Sequence, residues 1–248
     1  MSIYVWWNEI SWIYYWDTNW TPDPTRTLLY LKFDNNLNDD SGNNVSVTWA
    51  WIWYGTIGNN HYVEMTSSGS GCSITPPPSI ANVIWTWDYT VSFWIYSVPS
   101  TYYSTWEWAM AFGVWYDWAN PRPWIYLFIH QKINSGTDKI NAMEADQVDH
   151  PFTTSASTLN NSWHNIVITR DSWVVKGYLD GVQEMSATQT RSFNNCDTFF
   201  ILNRSNFSWQ QWKQTWAKMS EVIFEKVKRT SDDVNSYYNN TKSNYINV

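Results

Sequence analysis

The chain has 248 residues, 44% of them hydrophobic, and its 15 Lys and Arg against 22 Asp and Glu give a net charge of −7. These values suit one large domain or two small ones and exclude a disordered chain, a collagen and a coiled coil. The negative charge disfavours nucleic acid as a partner, because a phosphate backbone would be repelled. No run of 18 apolar residues predicts a membrane span.

Two residue types occur in unusual numbers, with 21 Trp and only 9 Gly in the chain. Glycine usually makes up roughly 7% of a protein, and turn-rich β proteins need it where φ is positive. Several Trp residues stand where β structure commonly has glycine, including Trp6, Trp16 and Trp173. We therefore hypothesise that many of these positions are UGA codons that the source organism reads as glycine. The alternative is a Trp-rich protein with exposed, stacked rings.

Residues 1–24 differ from the rest of the chain. The segment IYVW at 3–6 recurs as IYYW at 13–16, and Pro22 and Pro24 follow. Two β-prone runs before a stiff linker predict a two-strand arm, separate from a main domain over 25–248. The alternative is that both strands extend the main sheet. The first 25 residues carry no Lys or Arg, so no signal-peptide leader is indicated.

From residue 27 onward, short apolar or alternating runs are separated by clusters of turn-forming residues. These runs predict β-strands at 28–33, 45–49, 61–65, 89–96, 125–129, 163–169, 174–179, 199–202 and 219–227. Near the end, Thr230 with Asp233 three residues later is typical of a capping box and predicts one short helix. Val234, Tyr237 and Tyr238 have the spacing of its apolar face. Many strands with one helix favour an antiparallel sandwich or jelly roll.

Four oxygen-bearing side chains lie close together after the first predicted strand, namely Asp34, Asp39, Asp40 and Asn43. Calcium takes six to eight such oxygens, so this segment is a candidate Ca²⁺ site. Asp and Asn are also turn formers, and a turn without a metal is the interpretation we prefer. No other cofactor is expected, and pairing of Cys72 with Cys196 stays open.

The segment 99–124 is rich in Trp, Tyr and Pro. Aromatic rings can stack on sugars while carboxylates and amides hold sugar hydroxyls, and loops at one rim of a sandwich often bind ligands. We therefore predict a glycan-binding site here, with Tyr102, Tyr103, Trp106, Trp108, Trp115, Asp117, Asn120 and Trp124 as its residues. The alternative is that half of these aromatics fill the core or occupy glycine positions.

Three segments together resemble the laminin-G-like, concanavalin A-like jelly-roll family. They are YTVSFWI at 89–95, the hairpin WHNIVITRD at 163–171 with KGYLDGV at 176–182, and MSEVI at 219–223. The resemblance covers residues 27–245 and implies an all-β sandwich of two antiparallel sheets with one short C-terminal helix. It also implies a structural role for His164, and we expect Trp94 and Trp163 to lie between the two sheets.

Glucanases of this superfamily carry three carboxylates on one strand, and the chain has Glu144, Asp146 and Asp149 in a comparable stretch. Glu144 and Asp146 would share a strand face, but Asp149 would not without a bulge. The flanking segments 141–143 and 149–151 look like turns. We therefore interpret the stretch as a solvated acidic loop and expect no enzymatic activity, with a glycoside hydrolase as the alternative. No Ser-His-Asp motif is visible around the four histidines.

The arm resembles short N-terminal repeats of phage tail structural proteins, with Trp6 and Trp16 at the glycine positions of that repeat. The two resemblances imply a non-enzymatic virion protein, tail- or capsid-associated, whose domain binds surface glycan or another virion protein. A bacterial surface adhesin module is a further alternative. We expect a location on the virion or the cell exterior. A homo-oligomer stays open, because no coiled-coil seam is visible.

Overall fold

The computed structural model describes residues 25–50, 52–65, 71–75, 88–96, 108–115, 125–132, 138–143, 149–155, 159, 161–188, 198–201 and 217–246. The predicted arm at residues 1–24 and the acidic stretch with Glu144 and Asp146 lie outside these ranges. Within them the chain forms two antiparallel sheets and two short helices. None of the helices in the described ranges is long and apolar enough to cross a membrane.

Sheet A has eight strands. They are β1 (Thr27–Leu31), β3 (Ile52–Ile57), β4 (Asn60–Met65), β6 (Tyr89–Tyr96), β11 (Trp163–Asp171), β12 (Val174–Leu179), β13 (Val182–Thr188) and β15 (Lys218–Glu225). Their spatial order is β13-β12-β11-β6-β15-β4-β3, and β1 also pairs with β15. The first half of β15 therefore pairs with β4 and its second half with β1, on the side away from β6.

Sheet B has seven strands. They are β2 (Ser46–Ala50), β5 (Gly71–Thr75), β7 (Trp108–Trp115), β8 (Ile125–Lys132), β9 (Asp138–Met143), β10 (Asp149–Ser155) and β14 (Thr198–Ile201). Their spatial order is β10-β9-β8-β7-β14-β5-β2. The chain is thus an all-β, concanavalin A-like jelly-roll sandwich, as the sequence predicts, because amphipathic and apolar strands of both sheets share one core.

Two helices follow β15 and pack on the outer face of sheet A, namely α1 (Ser231–Thr241) and α2 (Ser243–Ile246). The predicted capping box is confirmed: the backbone N–H of Asp233 donates to Thr230 Oγ1 at 3.2 Å, and the Thr230 N–H donates to Asp233 Oδ2 at 2.9 Å. These two bonds satisfy amide groups that a helix start leaves open. Val234 and Tyr237 turn inward from α1.

The predicted turns at 141–143 and 149–151 are wrong, because these residues belong to β9 and β10. Polar residues are tolerated in β10 because it is an edge strand of sheet B, whereas β9 lies between β10 and β8. Pro151 is also compatible with an edge, where a missing N–H donor need not break a ladder. The Trp-rich segment 99–124 likewise contains a strand, β7, whose apolar centre pairs with β8 and β14.

The core between the sheets contains Phe93 and Ile95 from β6 and Phe152 from β10. Trp94 and Trp163 are buried, at 0% and 8% exposure, but they belong to a separate cluster with Tyr245 of α2. Their expected place between the two sheets is therefore wrong. Side chains alternate along a strand, so Trp94 points away from Phe93 and Ile95 and lies between sheet A and the helices.

Gly177 fixes the distance between the sheets at one point. A Cβ added there would lie 2.4 Å from Cζ of Phe152, closer than van der Waals contact allows. Glycine in this strand therefore provides the space that the Phe152 ring occupies. A strand glycine commonly marks such a close approach.

Candidate functional site

The glycan-binding residues predicted from sequence are only partly placed by the structure. Trp108 begins β7 and Trp115 ends it, and their backbones pair with Gln131 and Thr198. These two residues therefore lie at the ends of a strand inside sheet B and not in a rim loop. The remaining six, Tyr102, Tyr103, Trp106, Asp117, Asn120 and Trp124, lie outside the described residues, so the site in this segment stays a prediction.

Asp39 organises the turn that was considered for calcium. Its carboxylate accepts the backbone N–H of Tyr30 and of Ser41, each at 3.0 Å. It also accepts the Ser41 hydroxyl at 2.7 Å and the Val45 N–H at 3.1 Å. Four donors from the protein therefore surround this carboxylate, as expected for a carboxylate that holds a loop in shape.

The other candidate calcium ligands also have protein partners. Asp34 lies 2.6 Å from Nδ1 of His61, and Asp40 lies 3.3 Å from Nζ of Lys32. The Asn43 amide donates to the carbonyl of Thr27 at 2.7 Å. Within the described ranges, no group of three or more His, Cys, Asp or Glu side chains is placed to hold a metal. Calcium binding stays a prediction, and these contacts favour a turn-stabilising role.

A row of side chains crosses the outer face of sheet A. Direct cross-strand pairs place Glu64 beside Lys218, Lys218 beside Tyr96, and Tyr96 beside Trp163. Directly opposed residues share a face of the sheet, so all four point to the side that carries the helices. Tyr62 lies two residues before Glu64 on the same face. We name these five residues the Lys218 strip.

Aromatic rings of the Lys218 strip surround Trp163. The ring centroids of Tyr62 and Tyr96 each lie 5.8 Å from that of Trp163, at interplanar angles of 56° and 59°. Tyr245 of α2 lies 5.5 Å from Trp163 on a further side. Tilted pairs at these distances are favourable aromatic contacts. Tyr62 and Tyr96 therefore pack against a buried tryptophan and remain partly exposed.

One cation and one carboxylate complete the Lys218 strip. The Lys218 ammonium lies 4.8 Å from the ring centroid of Tyr62 and 5.4 Å from that of Tyr96, within cation–π range. Its distance to the Glu64 carboxylate is 4.0 Å, and the two side chains are 28% and 30% exposed. This loose pair leaves donors and acceptors of both groups facing solvent beside two aromatic rings.

Gly55 of β3 allows Tyr62 to reach its position. A Cβ at Gly55 would lie 2.3 Å from Cζ of Tyr62, so the tyrosine ring lies directly over the glycine backbone. Gly55 and Tyr62 are opposed in the pairing of β3 with β4. An aromatic ring that covers a glycine on an edge strand also shields its backbone from water.

Glu221 holds the helices beside the Lys218 strip. The pairing of β15 with β6 shifts between Ser220 and Ile223, and Glu221 in this bulge has a φ of 51°. Its carboxylate accepts hydroxyl protons from Tyr30 and Tyr237, both at 3.1 Å, and from Tyr245 at 3.3 Å.

Burial raises the pKa of the Glu221 carboxyl above its usual range, although the tyrosine hydrogen bonds oppose the shift. Burial likewise raises the pKa of the Tyr237 and Tyr245 hydroxyls, which stay protonated donors. The cluster therefore ties β1, α1 and α2 to one point of β15, and it fixes the helix layer that borders the strip.

A second chain of hydrogen bonds joins Ser162, His164 and Asp180. His164 Nε2 lies 2.7 Å from Ser162 Oγ, and His164 Nδ1 lies 2.6 Å from Asp180 Oδ2. No sequence motif indicated this order of contacts, which is that of a Ser-His-Asp triad. Asp180 also accepts the Asn165 N–H at 2.9 Å and has a φ of 51° in the turn between β12 and β13. We interpret this chain of hydrogen bonds as structural, in line with the role expected for His164, because it fixes the β12–β13 turn against β11.

The strip was not predictable as a site, because its members come from residues 62 to 218 of the chain. The only local signals were Tyr96 and Trp163 in the family-like segments and the alternation in 61–65. The residues of the strip become neighbours only through the strand order β4-β15-β6-β11, which places β15 between β4 and β6.

The fold and the strip define an all-β sandwich with an aromatic and charged outer surface. No protein-family model matches the sequence, and no curated protein matches it. Solved structures do match. The binding domain of botulinum neurotoxin serotype D has a TM-score of 0.68 at 17% identity, covering 88% of this chain and 51% of that one. The binding domain of Paraclostridial Mosquitocidal Protein 1 has a TM-score of 0.65 at 14% identity, with 88% and 52% covered.

A third match is domain 4 of AbnA, a GH43 extracellular arabinanase from Geobacillus stearothermophilus, in complex with arabinotriose. Its TM-score is 0.62 at 18% identity, and the match covers 85% of this chain and 97% of that domain. The chain spans about half the length of the two toxin binding domains and nearly all of the arabinanase domain. At these identities the likeness is one of fold.

Proposed function

We propose that this protein is a non-enzymatic glycan-binding module of a phage virion, tail- or capsid-associated, and that the Lys218 strip is its binding surface. The strip carries the proposal, because it combines two partly exposed tyrosine rings with a loosely paired cation and carboxylate. Rings of this kind stack on the apolar face of a sugar, and a few polar groups then fix its orientation. The arabinanase domain in complex with arabinotriose supports a sugar ligand for this fold.

The virion part of the proposal has separate support. It rests on the repeated segments at 3–6 and 13–16, which resemble repeats of phage tail proteins. The arm would anchor the protein, and the domain would contact surface glycan or another virion protein. Co-purification of the protein with tail or capsid components tests this part, and a gene neighbourhood without virion genes would contradict it.

Glycan binding is tested on an array, followed by calorimetry on any sugar that binds. We expect Tyr96→Ala and Lys218→Met each to weaken binding about tenfold, or about 1.4 kcal/mol. Tyr54→Ala is the matched aromatic control, because Tyr54 is 36% exposed and its partner in β4, Val63, faces the core. Lys226→Met controls for loss of a positive charge. Normal binding by both strip variants, with loss in Trp106→Ala, would move the site to the segment 99–124.

The absence of enzymatic activity is tested in two assays. A reducing-sugar assay on β-glucans and arabinan compares the wild type with Glu144→Gln. Labelling by a fluorophosphonate compares it with Ser162→Ala, because the contacts of Ser162 with His164 resemble those of a nucleophile with its base. Turnover that depends on Glu144, or labelling that depends on Ser162, would contradict the non-enzymatic part of the proposal.

A further inference from the structure

The Lys218 strip is unequally exposed along its length. Trp163 at one end is 8% exposed, whereas the side chains of Lys218 and Glu64 are 28% and 30% exposed. The next cross-strand partner beyond Glu64 is Trp53 on the edge strand β3, and it is 66% exposed. The strip therefore opens toward the β3 edge and becomes progressively buried toward β11. A glycine at position 53 would leave that edge at least as open.

Aromatic rings pack around the buried end of the strip. The ring centroids of Tyr62, Tyr96 and Tyr245 lie 5.5 to 5.8 Å from that of Trp163. Tyr245 is itself held in place, since it stacks on Trp94 with a centroid distance of 4.2 Å and donates to Glu221 at 3.3 Å. Because Trp163 is only 8% exposed, a ligand that lies along the strip finds little ring surface to stack on beyond Tyr96.

The charges along the strip also restrict the ligand. Glu64 and Lys218 oppose each other in charge, so the strip has no net charge, and the whole chain carries −7. A uronic or sialic acid would gain little from Lys218 beside Glu64 and would be repelled by the overall field. A neutral sugar can use both groups, because its hydroxyls donate to the carboxylate and accept from the ammonium.

We infer that the Lys218 strip binds the end of a neutral glycan chain, with the terminal sugar toward Tyr96 and Trp163 and the rest of the chain leaving over β3. This inference rests on the proposed glycan-binding function and adds to it both the ligand class and the mode of binding. A polymer offers a chain-end site as many binding positions as it has termini. It offers an open groove a number of positions that grows with the sugar units along the chain.

The test uses linear arabinan and linear β-glucan, each as a long polymer and as a short fraction cut from it. Calorimetry of the full-length protein is run at equal mass of sugar, with Tyr96→Ala as the baseline. A tenfold shorter fraction carries about tenfold more ends, so we expect about tenfold tighter binding per mass of sugar. An oxidised, uronic acid form of the same short fraction is expected to bind more weakly.

The outcomes separate the inference from the function it rests on. Binding that follows the mass of sugar and not the number of ends would overturn chain-end recognition and leave glycan binding intact. Tighter binding of the oxidised fraction would overturn the neutral ligand class. Failure of both polymers and both fractions to bind, together with a negative array, would contradict the proposed function itself.

Discussion

The four tryptophans whose side chains are described by the structure fall into two pairs. Trp94 and Trp163, which stand in the family-like segments, are buried, whereas Trp53 and Trp173 are 66% and 42% exposed. The positive φ of the β11–β12 turn falls on Ser172, at 51°, and not on Trp173 as we expected. The turn geometry therefore does not itself require glycine at 173. Both indoles are nevertheless far more exposed than those of Trp94 and Trp163.

We predict that the native protein carries glycine at positions 53 and 173 and tryptophan at 94 and 163. The reason is that the indoles at 94 and 163 are buried, whereas those at 53 and 173 are exposed, and glycine is otherwise scarce. Peptide mass spectrometry of protein from its native source reads all four positions, and the two buried ones serve as internal controls. Tryptophan at 53 and 173, encoded by UGG, would refute the recoding hypothesis.

Gly177 is the residue where the smallest change should have a large effect. We predict that Gly177→Ala destabilises the protein by about 1–3 kcal/mol, as overpacking of a core does, because its Cβ would collide with Phe152. Denaturant unfolding measures the effect. Adding Phe152→Leu to Gly177→Ala should recover part of the loss, and equal stability of Gly177→Ala and wild type would contradict the contact.

At the scale of elements, the Glu221 carboxylate links both helices to sheet A through hydrogen bonds from Tyr237 and Tyr245. The folded protein holds the Glu221 proton more tightly than the unfolded chain, because its pKa is raised. The contribution of Glu221 to stability is therefore fully present below the ordinary Glu pKa of about 4.3 and is lost as the pH rises to the raised value. Glu221→Gln stays neutral at every pH.

We accordingly predict that Glu221→Gln gains stability relative to wild type as the pH rises from about 4 to about 8. Chemical denaturation at several pH values measures the difference between the two proteins. Glu64→Gln, on the same face of the sheet, controls for the loss of one negative charge. A constant difference across the pH range, or one that moves in the opposite direction, would show that burial does not dominate at Glu221.

The aromatic cluster under α2 gives a second prediction at this scale. Trp94 is fully buried and stacks on Tyr245 at 4.2 Å and on Tyr238 at 5.9 Å. We predict that Trp94→Ala costs about 3–5 kcal/mol and that hydrogen exchange of α1 and α2 rises more than that of β9. Trp94→Phe keeps a ring and should cost less. Uniform exchange over both sheets would place Trp94 in the intersheet core.

The positions of strands and helices could be predicted from the sequence more accurately than the direction in which each face of a strand points. Local alternation placed β6 and β12 at their observed bounds, and the Thr230–Asp233 spacing marked the start of α1, because these signals lie within a few residues. The face of β6 that holds Trp94 could not be inferred, since the helices cover the second face and residues of both faces are therefore buried. β10 was missed because an edge strand tolerates the polar residues that elsewhere mark turns. β9 lies inside sheet B and was missed because three of its six residues, Asp138, Lys139 and Asn141, are polar.

At the scale of the whole molecule, the jelly roll follows from motifs whose order and spacing are visible in the sequence. The Lys218 strip does not, because Tyr62, Tyr96, Trp163 and Lys218 become neighbours only through the order of strands in sheet A. A surface built from four strands has no local signal. The Trp-rich segment had a strong local signal, yet two of its predicted residues, Trp108 and Trp115, bound a strand.

The position of β15 has a consequence for how the protein is made. β15 is the last strand in the chain, yet it lies between β6 on one side and β1 and β4 on the other. Tyr30 of β1 pairs with Ile223 of β15, which is 223 − 30 = 193 residues later in the chain. The pairing of β1 with β15 therefore cannot form until β15 has been synthesised. A nascent chain on the ribosome therefore carries β1, β4 and β6 without the strand that pairs with all three until residues 218–225 have been synthesised. Contacts this distant close slowly, so binding of chaperones to the emerging chain should end only after β15 has left the ribosome.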